Sequence, residues 1–385
     1  MNEIAYFDNA ATTFPKPEVV YDFADSFYRT SGGNAGRGNN IVAAASKGVA
    51  LAAKDNLKKL YACPAHEVVF TSSATEALNR VLFGLDYGDG DVVMVTPFEH
   101  NAVTRPLAHL VETKGVRIEL LTFDDGTLLP DYEAIENQFK LLHPRVVVMT
   151  HASNVCGAVI PVDSIAEIAA RYGATTVVDM SQTCGLLSLN LVSSGIDFAI
   201  FAGHKTLYAP FGIGGFFCRR GTILNPVLFG GNGVNSVEQS MPKDIVAMSE
   251  VGSQNTYAIA GLKASTDWLL EQGFEQILER ESESRDTLLE LLRQYENIHI
   301  VRDNMQCERI GVVSAVFDGY SPDEVEMILS NTGIAVRSGL HCAPYAHRFL
   351  GTLPAGTVRF SISALTGEND LTHLSDSLQM IADEG

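Results

Sequence analysis

The chain has 385 residues, 46% of them hydrophobic, and a formal net charge of −19 at pH 7. This length and hydrophobic content allow a large buried core and predict two domains. The acidic balance, with no cluster of Lys or Arg in the sequence, excludes nucleic acid and anionic membranes as expected partners, because both bind basic surfaces.

The N-terminal segment and the cysteines predict a protein of a reducing, cytoplasmic compartment. Residues 1–8 contain no basic region followed by an apolar stretch, so we expect no secretory signal. No apolar run approaches the roughly 20 residues that span a bilayer. The six cysteines show neither Cys-x-x-Cys spacing nor a metal-ligand pattern, so we expect no metal site.

From about residue 40, helical and strand patterns alternate, which predicts a mainly parallel sheet with helices on both faces. A helix rich in Ala, Leu and Lys is predicted over 41–61. Apolar runs predict strands over 67–70, 91–95, 145–149, 174–178, 197–203 and 212–217. The last of these is a candidate for the antiparallel direction.

Residues 259–297 predict one long helix or two in series, and a smaller α+β unit follows. Its predicted parts are a strand over 311–317, a helix that begins at Ser321, strands over 334–337 and 357–360, and a terminal helix. Ser, Pro and two acidic residues in a row are typical of a helix start. We therefore expect a large domain over 15–258 and a small domain formed by 259–385 with 1–14.

Polar residues stand where the predicted strands end. They are Ser-Ser-Ala-Thr at 72–75, His100, Asn154, Asp179 with Gln182, and His204 with Lys205. Each group taken alone is typical of a helix cap, a loop or an exposed surface. Ligands bind beyond the carboxyl ends of the strands in open α/β sheets, so five such groups in chain order predict a shared site.

The chemistry of these groups suits pyridoxal phosphate (PLP). A strand-end lysine can carry the aldehyde, while Asp179 keeps the ring nitrogen protonated so that the ring acts as an electron sink. The turn at 72–75 precedes a helix, where free N–H groups and the helix dipole favour a phosphate. His100 can lie over the ring, and Asn154 and Gln182 can reach its phenolic oxygen.

On these motifs the sequence resembles the class V aminotransferase family of fold-type I PLP enzymes, and within it the cysteine desulfurases. The matching segments are 6–13, 73–76, 99–102, 150–154, 179–182, 203–205, 337–344 and 357–361, so the resemblance covers nearly the whole chain. It implies an α/β fold of the PLP-dependent transferase type, with a mainly parallel central sheet, helices on both faces and a smaller α+β C-terminal domain.

The resemblance also implies residue roles. Lys205 would hold the cofactor and move the substrate α-proton, His100 would stack on the ring and assist protonation, and Cys342 would take the substrate sulfur as a persulfide, leaving alanine. The implied cofactor-binding set is Ser73, Ala74, Thr75, His100, Asn154, Asp179, Gln182, His204, Lys205 and Ser253. The implied substrate-binding set is Arg359, Asn9, Ala10 and Arg37, with the planar fork of Arg359 suited to a bidentate contact with a carboxylate.

The expected partners follow from the same resemblance. They are L-cysteine or L-selenocysteine, a thiol or sulfur-acceptor protein, and a second copy of the chain. The Gly-rich segment 31–38 and segment 252–256 match parts of the family that reach the neighbouring subunit's active site, with Ser253 as the candidate contact to the partner's phosphate.

Three features depart from the family pattern. Ala202 stands where Ser or Thr usually precedes Gly-His-Lys, the segment after Lys205 is one residue longer, and Leu340 replaces the first His of the Suf-type His-His-Cys. The short interval between Cys342 and Arg359 resembles the Suf-type branch. Two alternatives stay open: another class V enzyme (a transaminase, epimerase or lyase) that does not use Cys342, and a non-catalytic fold-type I binding protein.

Overall fold

The computed structural model describes residues 4–35, 40–231, 233 and 237–384. The strands are β1 Ala5–Tyr6, β2 His66–Thr71, β3 Val92–Val95, β4 Arg117–Leu120, β5 Val146–Thr150, β6 Thr175–Asp179, β7 Phe198–Ala202, β8 Gly214–Arg219, β9 Ile298–Ile300, β10 Val312–Phe317, β11 Ile334–Ala335, β12 Arg337–Gly339 and β13 Thr357–Ser361. The helices are α1 Glu18–Ser31, α2 Ile41–Leu60, α3 Ala74–Gly84, α4 Asn101–Lys114, α5 Tyr132–Leu142, α6 Val162–Arg171, α7 Ile245–Ser249, α8 Thr256–Gln272, α9 Phe274–Leu292, α10 Pro322–Asn331, α11 Pro344–Leu350 and α12 Glu368–Glu384.

The central sheet has seven strands in the order β2-β8-β7-β6-β5-β3-β4. Strands β3 to β7 run parallel to one another, while β8 is antiparallel to both β7 and β2. The predicted parallel sheet and the antiparallel direction of the run at 212–217 are therefore confirmed. Every residue of β5 and β7 is buried, as is typical of strands whose sheet is covered on both faces.

The smaller sheet is antiparallel, in the order β12-β13-β10-β9, and β1 pairs with β11 beside it. The single strand predicted over 334–337 is wrong, because the run divides at Val336 into two strands with different partners. A separate apolar core packs under this sheet and includes Phe7 from the N-terminal segment.

The helical segment after residue 255 consists of two helices in series, the second of the two predicted alternatives. Helix α8 ends where Gly273 adopts a φ of 79°, a conformation that residues with a Cβ rarely adopt, and α9 begins at the next residue. None of the helices in the described residues is long and apolar enough to cross a membrane.

The topology brings several strand ends to one edge of the central sheet. Strands β3, β5, β6 and β7 are mutually parallel neighbours, so the loops that begin at residues 96, 151, 180 and 203 all leave from the same edge. Helix α3 begins beside them, because β2 is antiparallel to β8 and therefore runs in the direction of β7. This edge is the position at which open α/β sheets bind ligands.

Candidate functional site

A cavity of about 180 Å³ opens at this edge of the sheet. Its walls are Ser73, Ala74, Thr75, His100, Ala102, Thr150, Asn154, Asp179, Ser181, Gln182, Ala202, His204 and Lys205. The structure therefore brings together every strand-end group that the sequence suggested for one site. The role of each group remains a prediction.

The first turn of α3 forms one end of the cavity. Ser73 caps the helix, its Oγ accepting from the Glu76 N–H at 3.2 Å. The N–H groups of Ala74 and Thr75, at the first two helical positions, have no acceptor within the helix. A Cβ on Gly214 would come within 2.6 Å of the Ser73 backbone, so glycine lets β8 lie directly behind this turn. The result is a set of donors suited to an anion.

His204 also lines the cavity and is held neutral. Its ring stacks on Phe211 with centroids 4.7 Å apart, and its Nδ1 is buried without a hydrogen-bond partner within the described residues. Burial, and then the charge of Lys205, lower the pKa of His204 to about 3. A neutral ring with an unpartnered buried nitrogen is a polar group that lacks a ligand.

Lys205 and Asp179 supply the opposite charges of the cavity. The Lys205 Nζ makes no hydrogen bond or ion pair within the described residues, and burial lowers the pKa of this amine to about 8 against the raising effect of Asp179. Asp179 is 5% exposed, and its Oδ1 accepts from the Ser181 N–H at 2.9 Å. The second carboxylate oxygen is left for another partner.

His100 caps α4 and presents one nitrogen to the cavity. Its Nδ1 accepts from the Ala102 N–H at 3.0 Å, so the hydrogen of the neutral ring must be on Nε2. Burial, and then Lys205, lower the pKa of His100 to about 4. The residue therefore offers an N–H donor at neutral pH.

Glu99, which precedes His100, was not singled out from the sequence. It is fully buried, and its Oε1 accepts from the Thr96 hydroxyl at 2.6 Å and from the Thr150 N–H at 2.8 Å. Burial raises its pKa to about 8. Glu99 thus links the ends of β3 and β5 behind the cavity. Its position in the matching segment 99–102 is the sequence feature that could have indicated a role at the site.

Arg359 is 1% exposed and is paired with Asp8, another residue that the sequence analysis did not single out. The Arg359 Nη2 lies 2.5 Å from the Asp8 Oδ1, and Nη1 donates to the Asn154 carbonyl at 3.1 Å. The Nε is buried without a partner within the described residues. A buried guanidinium needs such a counter-charge. Arg359 is not among the residues that line the cavity, and its predicted contact with the substrate carboxylate stays a prediction.

Asn9 and Ala10 hold the N-terminal segment against this region. The Asn9 amide donates to the Tyr6 and Ser361 carbonyls, and its oxygen accepts from the Phe14 N–H. Ala10 is held through its backbone: its N–H donates to the Ser361 hydroxyl, and its carbonyl accepts from a side-chain amide.

Both the nitrogen and the oxygen of the Asn9 side-chain amide are therefore hydrogen-bonded within the protein. The carbonyl of Ala10 is engaged by Gln182, whose Nε2 lies 2.9 Å away. The predicted contacts of Asn9 and Ala10 with the substrate stay predictions. Ser253 does not line this cavity and accepts from the Asn34 amide at 3.2 Å. Arg37 lies outside the described residues.

Cys342 is exposed and lies in a strained turn between β12 and α11. The Ala343 N–H donates to the Leu340 carbonyl at 2.8 Å, closing the turn. The two central residues, His341 and Cys342, have φ values of 48° and 58°. Two positive φ values are typical of a type I′ turn, in which glycine and asparagine are preferred. Such backbone persists only when its surroundings hold it.

Three hydrogen bonds hold this turn in place. The Asn154 Nδ2 donates to the His341 carbonyl at 2.7 Å, and the Asn101 N–H donates to the Cys342 carbonyl at 2.7 Å. The His341 Nε2 lies 2.9 Å from the Thr357 hydroxyl. The Arg337 Nη2 lies 3.8 Å from the Cys342 sulfur, so a positive charge faces the thiol.

A chain of hydroxyls sets the tautomer of His341. Ser314 donates to the Val155 carbonyl at 2.7 Å, and Thr357 donates to the Ser314 oxygen at 3.0 Å. Since the Thr357 hydrogen is used, its oxygen must accept from the His341 Nε2–H. Burial lowers the pKa of His341 to about 2, which keeps the ring neutral with a bare Nδ1.

Known proteins resemble the chain over its full length. The family model "Aminotransferase class-V" matches residues 5–374. A probable cysteine desulfurase of Xylella fastidiosa (strain 9a5c) is 32% identical over 370 residues, covering 94% of this chain and 86% of the relative. A probable cysteine desulfurase of Methanothermobacter thermautotrophicus is 30% identical over 391 residues, covering 100% and 96% of the two chains.

A solved structure also matches nearly the whole chain. An apo cysteine desulfurase from Thermococcus onnurineus NA1 superimposes with a TM-score of 0.90 at 27% identity, covering 99% of this chain and 95% of that one. This family is generally PLP-dependent, and the fold-type I architecture expected from the resemblance is confirmed. The chain belongs to the class V aminotransferase family.

Proposed function

We propose that this chain is a PLP-dependent cysteine desulfurase, which converts L-cysteine to L-alanine and keeps the sulfur as a persulfide on Cys342. The observation that carries the proposal is the position of Cys342. It is exposed, faces Arg337, and is held by Asn101 and Asn154, two residues that adjoin the cofactor cavity. The names of the similar proteins support the same reaction.

The residues of the cavity fit PLP. Ala74 and Thr75 would offer free N–H groups to its phosphate, and His204, which lines the same cavity, has an unpartnered Nδ1. Asp179 would hold the ring nitrogen, and Lys205 has an unpaired amine for the aldehyde. Asn154 and Gln182, which also line the cavity, would reach the phenolic oxygen. When bound, the cofactor supplies an electron sink for the bond to the substrate α-carbon.

The surrounding residues would position the substrate and move its protons. The buried N–H of Arg359 would bind the α-carboxylate, while Asp8 balances the guanidinium charge. The Lys205 amine, whose pKa is lowered to about 8, can take and return a proton near neutral pH. The Nε2–H of His100 would donate to the bound substrate.

The sulfur step balances without an external reductant. The Cys342 thiolate attacks the substrate sulfur, the new S–S bond forms, and the bond from that sulfur to the substrate β-carbon breaks. The electron pair of the broken bond stays with the carbon fragment, which takes up a proton and leaves as alanine. The Arg337 guanidinium, 3.8 Å from the Cys342 sulfur, would stabilise the negative charge before and after this step.

We also propose a homodimer that resides in the cytoplasm. The support for the dimer is the exposed position of Ser253, which lies outside the cavity of its own subunit and contacts Asn34 of the Gly-rich segment. The support for the compartment is that all six cysteines are free thiols. The division into a domain over 15–258 and one formed by 259–385 with 1–14 is likewise a proposal, supported by the separate apolar core under the small sheet.

A single turnover without added thiol tests the function. We expect wild-type protein to form alanine in an amount equal to its subunits and to carry one extra sulfur atom on the Cys342 peptide by mass spectrometry. The Cys342→Ala variant should form neither alanine nor persulfide, because no thiolate attacks the substrate sulfur. Cys307→Ala, which alters a partly exposed cysteine elsewhere, is the matched control and should behave as wild type.

Other products would identify the alternatives. Alanine formation by Cys342→Ala at the wild-type rate, with no persulfide in the wild type, would contradict the proposal and favour another class V enzyme. A chain that forms no borohydride-reducible adduct with PLP would favour the binding protein. L-selenocysteine is tested as a second substrate, since its selenol is ionised near neutral pH. Selenide release by Cys342→Ala would indicate a lyase that acts on selenocysteine.

A further inference from the structure

A groove of about 420 Å³ is lined by residues of α3 and α4, by His100 and by Cys342. His100 lines both this groove and the cofactor cavity, so the two share a wall. Cys342 lines the groove and not the cavity. A sulfur atom attached to Cys342 can therefore be reached from the groove without entry into the cofactor cavity.

The charge in this groove is opposite to that of the molecule. The chain carries a formal charge of −19, yet no Asp or Glu is among the residues that line the groove. Arg105, on α4, is exposed on its wall and makes no hydrogen bond or ion pair within the described residues. A cation in a groove lined by no carboxylate attracts anions that the rest of this acidic surface repels.

The rest of the wall suits a small molecule. Phe83 and His109 pack edge to face with centroids 5.7 Å apart and give one side an aromatic surface. Asn101, near Cys342, adds a polar side chain. The volume falls in the range of roughly 300–1,000 Å³ that is typical of small-ligand sites, whereas a stable protein partner needs about 800 Å² of surface on each side.

We propose that this groove binds a small thiol that carries a carboxylate, and that Arg105 contacts the carboxylate while the thiol accepts sulfur from Cys342. The inference rests on the proposed desulfurase function, because it needs a persulfide on Cys342. It adds to that function the chemical class of the acceptor and a residue that selects it.

The transfer is a thiol exchange with no net oxidation. The acceptor thiolate attacks the outer sulfur of the Cys342 persulfide and forms a new S–S bond. The bond between the two sulfurs of the enzyme persulfide breaks, and its electron pair leaves with Cys342 as a thiolate. The acceptor departs as a persulfide, and the enzyme returns to its starting state.

The test begins with holoenzyme loaded by one turnover of L-cysteine and freed of excess substrate. Alanine and the persulfide on Cys342 are measured first, which checks the proposed function by itself. The loaded enzyme is then mixed with mercaptosuccinate, 2-mercaptoethanol or cysteamine, which bear anionic, neutral and cationic groups. The transfer rate to each thiol is divided by its thiolate fraction at the working pH.

We expect mercaptosuccinate to react faster than the other two thiols. Arg105→Gln should slow mercaptosuccinate by about threefold to fivefold, the size expected for loss of an exposed ion pair, and should leave 2-mercaptoethanol within about twofold of wild type. Arg105→Lys should retain most of the preference, since it keeps the charge. Arg117→Gln, which removes an exposed arginine of β4 outside the groove, is the matched control and should change neither rate.

The contrary results are equally defined. The proposal is wrong if Arg105→Gln leaves the mercaptosuccinate rate unchanged, or slows all three thiols alike while the cofactor absorbance is normal. It is also wrong if loaded wild-type enzyme transfers sulfur to none of them, a result that would point to a protein acceptor. Failure to form the persulfide in the first step would overturn the desulfurase function and this inference together.

Discussion

At the scale of single residues, burial sets the protonation of the groups around the cavity. His100 and His204 are held neutral, with pKa values lowered to about 4 and about 3. Lys205 is affected in the same direction, but Asp179 opposes the shift, and its pKa is lowered only to about 8. Near neutral pH the Lys205 amine can therefore lose its proton, while the rings of His100 and His204 stay neutral.

This arrangement predicts how the apoenzyme takes up its cofactor. In its proposed role the Lys205 amine must be neutral to attack the aldehyde, so the rate of covalent loading should rise about tenfold per pH unit below pH 8 and level off above it. The measurement is the growth of the bound-cofactor absorbance after addition of PLP to apoenzyme between pH 6.5 and 9.5. Lys205→Ala should show no such absorbance, and a rate that still rises tenfold between pH 8.5 and 9.5 would contradict the lowered pKa.

Single residues also mark the limit of what the sequence could predict. The strand-end groups could be predicted because each follows an apolar run, and the ends of parallel strands lie together at one edge of the sheet. The Asp8–Arg359 ion pair could not be predicted in this way, because its members are 351 positions apart and no local pattern connects them. Contacts of this kind come from the fold, not from local sequence.

At the scale of elements, most strands of the central sheet follow from their apolar runs to within one or two residues. The run at 334–337, outside the central sheet, does not follow the prediction. Its first two residues, in β11, pair with β1 at the start of the chain, whereas Arg337, in β12, pairs with β13. An apolar run predicts that a strand forms, but the pairing partners decide where it divides.

The turn that carries Cys342 gives a prediction at the same scale. Thr357→Val removes the acceptor of the His341 Nε2–H and leaves a buried donor unpaired, a change worth about 1–3 kcal/mol. Since His341 and Cys342 both have positive φ, loss of this anchor should release the strained turn. We expect persulfide formation in a single turnover to slow by about tenfold, with the cofactor absorbance unchanged.

The conservative variant separates positioning from simple loss of stability. Thr357→Ser keeps the hydroxyl that accepts from His341 and should restore the rate to within about twofold of wild type. The alkylation rate of Cys342 by iodoacetamide provides a second readout, because a released turn alters access to the sulfur. A wild-type rate of persulfide formation in Thr357→Val would show that the hydroxyl chain does not position Cys342.

At the scale of the whole molecule, the N-terminal segment joins the two sheets. Strand β1 pairs with β11, and Asp8 forms a bridge with Ser361 at the end of β13. A few residues later, the Thr12 hydroxyl and the Lys16 amine both donate to the carbonyl of His204, in the loop after β7. The site thus lies where a segment from the start of the chain connects strands from its middle and its end.

The buried ionisable groups of the whole chain predict lower stability in acid. Five histidines have pKa values lowered mainly by burial, to between about 2 and about 4: His100, His151, His204, His341 and His347. The unfolded chain binds protons at these positions below pH 6.5 while the folded chain does not, so their contribution to stability is lost as the pH falls. Glu99 and Glu281 act in the opposite direction, because burial raises their pKa values to about 8 and about 7 and the folded state retains their protons.

The histidines outnumber the glutamates, so the net effect near pH 5.5 is an uptake of about two to three protons on unfolding. We expect the urea midpoint of the apoprotein to fall between pH 7 and pH 5 at constant ionic strength. His151→Gln replaces a fully buried ring that is bonded to Thr183 and should reduce the pH dependence by about one proton. A midpoint at pH 5 equal to or above that at pH 7 would mean that these histidines gain protons in the folded state, contrary to their burial.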